Sequence, residues 1–306
     1  MIEAYQLTKY FDKFLAVNEI SFSVEPGKVF AILGPNGAGK TTTIRMLTSI
    51  LNPTSGKATV AGYDVVTQAA QVRASVGVLT EQHGLYERMR GLEYLDFFGR
   101  IYHLSAEYRQ KRALHLMERF GLGDALDKRV GEYSKGMKQK LALVRALLHD
   151  PPVLLLDEPT SAMDPQSARL VRDAIKELRQ DARTIILTTH NLPEADELAD
   201  KIGVIRRGRM IAQGDFESLS TRFVGPPTME LRTVQPLNGL VQAVGDLVTV
   251  TASGDDYILY TTPTPTETNT QVLRRVLDSG VDVLTLSRKS QTLEEVYLHI
   301  VQEDEE

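Results

Sequence analysis

Apolar residues follow two rhythms along this chain, and the alternation between them predicts the fold. Uninterrupted apolar runs, Val29-Phe30-Ala31-Ile32-Leu33, Val153-Leu154-Leu155-Leu156 and Thr184-Ile185-Ile186-Leu187-Thr188-Thr189, read as strands buried on both faces of a parallel sheet. Residues 43–51 and 166–179 instead carry apolar positions at helical spacing. Residues 2–25 hold two strand-like segments, with strict alternation in Ser21-Phe22-Ser23-Val24. Ala58-Thr59-Val60-Ala61-Gly62 and Val76-Gly77-Val78-Leu79 read as short strands around a helix that starts near Thr67. Residues 202–205 and 210–212, joined through Arg207-Gly208-Arg209, read as a hairpin. Strands alternating with helices predict an α/β sheet with its site at the carboxyl ends of the strands.

Between residues 90 and 148 the texture turns mostly helical. Leu92, Leu95, Phe98 and Tyr102 share one face, and so do Leu114, Met117 and Leu122. Such stripes belong to a core, which predicts a helical subdomain of about residues 90–150 inserted between strands. The basic run Arg109-Gln110-Lys111-Arg112 reads as a solvated face. Gly225-Pro226-Pro227 is the best boundary signal and divides a first domain, residues 1–219, from a second, residues 220–306. Past it come a strand (229–232), a helix (236–244), two strands (247–251 and 257–261), a helix (268–278) and a strand (283–286). That order is the ferredoxin-like split arrangement, so the second domain is expected to be a small α+β domain. A last helix opens on the capping-box pattern Thr292-Leu293-Glu294-Glu295 and runs into the acidic tail Glu303-Asp304-Glu305-Glu306.

Composition narrows the classes. A chain of 306 residues allows two domains, and a net charge of -5 argues against a nucleic-acid partner held by bulk electrostatics. The absence of cysteine removes disulfides, zinc–thiolate sites and thiol nucleophiles, and suits a reducing cytoplasm. No apolar run approaches the roughly 20 residues of a membrane span. Met1-Ile2-Glu3-Ala4-Tyr5 lacks the basic and apolar regions of a secretory leader. A membrane role would therefore come through a partner.

Gly34-Pro35-Asn36-Gly37-Ala38-Gly39-Lys40-Thr41-Thr42 follows the first buried strand and opens a helix. A strand, a glycine-rich turn and a helix N-terminus make a phosphate cradle: backbone N–H groups aim inward and the helix end adds partial positive charge. Lys40 can reach the β- and γ-phosphates, and the Thr41 hydroxyl can ligate Mg²⁺. Asp157, ending the second buried strand, is placed to hold Mg²⁺ through water, and Glu158 after it to act as general base on an attacking water. His190, ending the third, can contact the γ-phosphate. The other histidines, His83, His103, His115, His149 and His299, read as structural. Lys9-Tyr10-Phe11-Asp12 offers a ring that can either stack on adenine or pack a strand end.

Tyr133-Ser134-Lys135-Gly136-Met137 before a long helix could be an ordinary N-cap, but it completes a set. Walker A, Walker B, signature and switch motifs stand in order over residues 1–219, and the chain resembles the ATP-binding subunit of an ABC transporter. The resemblance implies a P-loop NTPase fold, ATP and Mg²⁺ as ligands, and a head-to-tail pair of nucleotide-binding subunits, as a homodimer. In that pair Ser134 and Gly136 of one copy face the γ-phosphate bound by the partner's loop. Ser161-Ala162-Met163-Asp164 matches the D-loop at the seam. Phe11 matches the adenine-stacking aromatic, with Tyr10 the alternative. The Q-loop position falls on Glu81, with Gln82 one place on. The signature departs from the usual Leu-Ser-Gly-Gly-Gln. With the appended domain, this is similar to the drug- and sodium-exporter group, whose ATPases serve a separate ABC-2-type permease at the inner face of the membrane. Residues 83–90 then meet the permease, and the second domain pairs or regulates the subunits or is a passive appendage. The competing reading is an ABC ATPase acting on ribosomes or DNA, which one nucleotide-binding unit without a heptad tract disfavours.

Overall fold

The computed structural model describes the whole chain except residues 81–83, 162, 237–238, 290 and 306. The chain divides into two compact units, Met1–Asp215 and Phe216–Glu306. The first begins with β1 (Ile2–Phe11), β2 (Phe14–Val24), β3 (Val29–Leu33), α1 (Lys40–Leu47), β4 (Ser55–Val60), β5 (Tyr63–Asp64), α2 (Ala69–Ser75) and β6 (Val76–Leu79). Three helices follow, α3 (Gly91–Ile101), α4 (Ala106–Arg119) and α5 (Lys135–Leu147). The unit closes with β7 (Val153–Asp157), α6 (Pro165–Gln180), β8 (Thr184–Thr189), α7 (Leu192–Leu198), β9 (Lys201–Arg206) and β10 (Arg209–Gly214).

Two sheets result. β2-β1-β4-β5 is antiparallel, and β10-β9-β3-β8-β7-β6 is parallel apart from the β9–β10 hairpin at its edge. The apolar runs of β3 and β7 are buried at every position, as expected of strands covered on both faces. β4 and β6, the two short strands read around one helix, lie in different sheets. The core common to both sheets includes Ile2, Val24, Phe30, Ile32, Ile44, Leu47 and Leu155. Phe22 and Phe30 stack with centroids 5.1 Å apart.

The inserted segment is helical, with local corrections to its faces. Of the expected stripe, Met117 and Leu122 are buried and Leu114 is half-buried, while Ala113 and Leu116 complete the inward face of α4. The basic run is not a uniformly solvated face. Arg109 turns in to pair with Asp96, and Arg112 reaches Asp150 at 2.7 Å, leaving Gln110 and Lys111 exposed. The run spans one helical turn, so its two ends share the inward side.

The second unit contains α8 (Phe216–Phe223), β11 (Thr228–Thr233), α9 (Leu240–Val244), β12 (Thr249–Ser253), β13 (Tyr257–Thr261), α10 (Pro265–Asp278), β14 (Val283–Arg288) and α11 (Leu293–Glu303). Its sheet is antiparallel in the order β12-β13-β11-β14, the ferredoxin-like arrangement expected of the split order. Met229, Leu231, Ile258, Tyr260, Val272 and Val276 form its own core. Gly225-Pro226-Pro227 does not divide the units; it ends α8. The Val224 and Gly225 N–H groups both donate to the Ser220 carbonyl, at 2.9 and 3.1 Å, with Gly225 at φ 107°. Helix α9 starts only after the left-handed Gly239. Thr292 and Glu295 satisfy each other's backbone N–H groups at 3.2 and 3.0 Å, the reciprocal cap read from sequence.

His149 follows α5 as a structural residue. Its ring stacks on Tyr102 with centroids 3.8 Å apart, and Nε2 donates to the Val76 carbonyl at 3.1 Å. Burial pulls its pKa down to about 4. The unfolded chain therefore takes up this proton first, near the ordinary 6.5, and the fold loses stability as pH falls from there toward 4. Urea unfolding at pH 7 and pH 5 should show that loss shrinking in His149→Gln, which keeps an N–H for Val76 but does not titrate.

Candidate nucleotide-binding site

Register brings the site together. β8 lies between β3 and β7, with Leu33 opposite Thr189 and Thr188 opposite Asp157. Three strands therefore end level, and the residues that follow them, Gly34, Glu158 and His190, emerge at one edge.

The loop after β3 crosses tightly packed backbone. A Cβ at Gly34 would sit 2.3 Å from the Ile205 carbonyl oxygen, and one at Gly39, where φ is 108°, 2.7 Å from that of Ala16. Pro35, Asn36, Gly37, Ala38 and Thr42 line the same cleft as Lys40 and Thr41. Lys40 is buried at the start of α1, and its Nζ donates to the carbonyls of Gly34 at 2.7 Å and Pro35 at 3.2 Å. Glu158 Oε1 stands 3.7 Å away. The ammonium is thus turned into the loop's centre, where phosphate oxygens could take over from the carbonyls.

The Thr41 hydroxyl donates to Asp157 Oδ2 at 2.9 Å, and the Thr188 hydroxyl donates to Oδ1. Asp157 is only 1% exposed. A threonine oxygen beside a buried carboxylate at the mouth of an anion cradle is a donor set that suits Mg²⁺, which takes few protein oxygens and completes its shell with phosphate and water. Among the described residues no cluster of three or more acidic or histidine side chains could hold a metal alone. The donor set therefore fits Mg²⁺ that arrives with a phosphate.

Glu158 has a left-handed backbone, φ 53°. Its N–H donates to the Thr188 carbonyl at 3.0 Å, so the turn is anchored on the neighbouring strand. Oε2 lies 2.8 Å from His190 Nδ1, and the imidazole is otherwise largely exposed. The far side of the turn is held by Gln139 of α5, whose amide donates to the Glu158 and Pro159 carbonyls at 3.2 and 3.0 Å. Sequence reasoning passed over Gln139. Its signal was a polar residue at helical spacing from Ala142, Leu143 and Ala146, on the face that is otherwise apolar.

The cleft encloses about 400 Å³. Its outer wall is Phe11 and Phe14 with Ala16, and both rings are substantially exposed. Tyr10 is not among its lining residues, and Phe14, across the β1–β2 turn, is an aromatic that sequence reading overlooked. Ser134 and Gly136 stand elsewhere, at the tip of α5. Ser134 Oγ accepts from Met137 N at 3.2 Å, and neither residue lines the cleft. Tyr133, in the place of the usual leucine, is buried and donates its hydroxyl to the Ala125 carbonyl at 2.6 Å, which fixes that tip to the helical subdomain. Asp164 caps α6 by accepting from Ser167 N at 3.0 Å. Glu81 and Gln82 lie outside the described residues, as does Ala162.

Residues 17–161 match the family model described as ABC transporter. Among curated relatives, a daunorubicin resistance ATP-binding protein of Streptomyces coeruleorubidus is 38% identical over 97% of this chain and 94% of its own length. A solved ATP-binding subunit of an ABC transporter, 28% identical, superposes with a TM-score of 0.69 over 74% of this chain and 94% of that one. A dimeric bacterial ABC transporter cassette shares the fold at 24% identity, with a TM-score of 0.66 over 70% of this chain and 98% of that one. The cradle, the level strand ends and these likenesses converge: the chain belongs to the ABC transporter family, as an ATP-hydrolysing nucleotide-binding subunit related to the daunorubicin-resistance proteins.

Proposed function

We propose that two copies of this chain close on MgATP and drive a separate ABC-2-type membrane exporter from the cytoplasmic side, hydrolysis reopening the pair. The observation that carries this reading is that the candidate phosphate-binding groups fall in two separate places. Lys40, Thr41, Asp157, Glu158 and His190 share one cleft, while Ser134 and Gly136 sit on an outward-facing helix tip away from it. A helix N-terminus with exposed N–H groups is an anion site in want of a ligand, and a second copy's nucleotide supplies one. The fold shared with a dimeric cassette is consistent with this. No helix among the described residues is long and apolar enough to cross a membrane; in this reading the permease is a separate subunit. The name of the daunorubicin-resistance relative supports export as the direction. The second unit is an accessory domain that helps to pair or regulate the subunits.

In this mechanism Phe11 and Phe14 hold the base by stacking, and the glycine-rich loop with Lys40 binds the β- and γ-phosphates. Thr41 and Asp157 would hold Mg²⁺, which would supply charge neutralisation on those phosphates. Glu158 orients a water in line with the γ-phosphorus and takes its proton as the oxygen attacks. The bond to the β–γ bridging oxygen breaks, leaving ADP and phosphate. His190 holds Glu158 in place through Nδ1 and faces the γ-phosphate with the rest of its ring. Closure follows because ATP contacts both copies only in the closed pair, a differential affinity that hydrolysis removes.

Glu158→Gln should keep nucleotide binding, lower phosphate release by about a hundredfold or more, and accumulate an ATP-bound dimer on size-exclusion chromatography. Fast turnover in that variant would remove Glu158 as the base. Lys40→Ala should weaken ATP binding by roughly tenfold or more in isothermal titration, as expected for loss of a charged hydrogen bond. Normal affinity would sink the cradle assignment. Purification from solubilised membranes should bring a polytopic permease with the chain; recovery with ribosomes would favour the competing reading instead.

A further inference from the structure

Behind the cleft lies a carboxylate with no part in the mechanism above. Glu194, on the first turn of α7, is 2% exposed. Its Oε1 accepts from the Thr160 hydroxyl and its Oε2 from the Thr189 hydroxyl, both at 2.6 Å, the short lengths of hydrogen bonds to an ionised or shared-proton acceptor. Thr160 lies two residues past Glu158, and Thr189 directly precedes His190. The Asn191 side chain caps the same turn by accepting from Glu194 N at 3.1 Å, and Asn191 N donates to the Thr189 hydroxyl at 3.0 Å.

We propose that Glu194 is a positioning residue: it bridges the segment after β7 to the end of β8, and so fixes the distance between Glu158 and His190. Two ties join these segments. The outer one, Glu158 to His190, faces the cleft and is open to exchange when water or phosphate enters. The inner one, Thr160–Glu194–Thr189, is sealed from solvent and touches neither substrate nor reacting atoms. A sealed bridge behind an exposed catalytic pair is what holds such a pair to sub-ångström tolerance while its own hydrogen bond breaks and reforms. Burial raises the Glu194 carboxyl above its usual range, the two hydroxyls pull it back, and nearby Glu158 pushes it up again. An amide of the same shape keeps one of the two acceptors and sets an NH2 against a hydroxyl that had been donating, so it preserves the bridge only in part.

The proposal rests on the reading of Glu158 and His190 given above, and the test separates the two. ATPase kcat and KM, MgATP affinity and thermal melting are measured for Thr160→Val, Glu194→Ala, Glu194→Gln and the Thr160→Val/Glu194→Ala pair, with Glu158→Gln alongside. Thr160→Val and Glu194→Ala should each lower kcat by about tenfold or more while KM and affinity stay within about twofold. Glu194→Gln, which keeps one acceptor, should fall between the parent and Glu194→Ala, and the double variant should be no worse than Glu194→Ala alone. If Glu194→Ala does not fold, Thr160→Val against Glu194→Gln decides the matter. Parental kcat in Thr160→Val, or losses of kcat, affinity and melting temperature in step, overturns the bridge. Loss of turnover in Glu158→Gln with a parental Thr160→Val sinks the bridge alone, whereas normal turnover in Glu158→Gln sinks the catalytic reading and the bridge with it.

Discussion

Everything at this site depends on the register of three parallel strands. Parallel pairing fixes which residue stands beside which, and here it sets Leu33, Thr189 and Asp157 near one level. Had β8 slipped by one residue, His190 would point to the opposite face and the Thr188 hydroxyl would no longer meet Asp157. Register in turn is held by burial, because every side chain of β3, β7 and β8 is enclosed and has only one complementary slot. The chemistry of the edge is inherited from packing in the middle.

Each buried charged group at that edge has polar partners within the chain. Lys40, buried, faces two carbonyls and Glu158; Asp157, buried, is met by two threonine hydroxyls. A buried charge left alone would be costly, so each group has a placeholder partner of its own. In the proposed mechanism nucleotide enters by exchanging partners with these groups. Such a cleft is preorganised, and little reorganisation is needed when charge develops on the phosphate.

How much of this was legible in the sequence follows from how local each feature is. The phosphate loop, the three apolar strands and the capping box at Thr292 are contiguous patterns, and each lies where its pattern put it. Gln139 and Glu194 are not contiguous with anything they hold. Each is a polar residue on a buried face, and only the tertiary structure says which loop it supports. Phe14 was hidden by its neighbour Phe11, since both flank the same turn and spacing favoured one. Of the stripe Leu114, Met117 and Leu122, the last two are buried and Leu114 sits at the margin, because docking turns Ala113 and Leu116 inward beside Met117. Gly225-Pro226-Pro227 carries a strong stop signal, but a stop ends any helix, including one within a domain.

The backbone at Glu158 has a further bearing. A left-handed conformation in a residue other than glycine costs about 1–2 kcal/mol. The anchoring of its N–H on β8 and of its carbonyl by Gln139 offsets that cost. On the proposed reading of Glu158 as the base, backbone ease and turnover are set against each other at a single position. Glycine at 158 would relax the turn and lose the carboxylate, so on that reading a screen for heat resistance alone would select against activity.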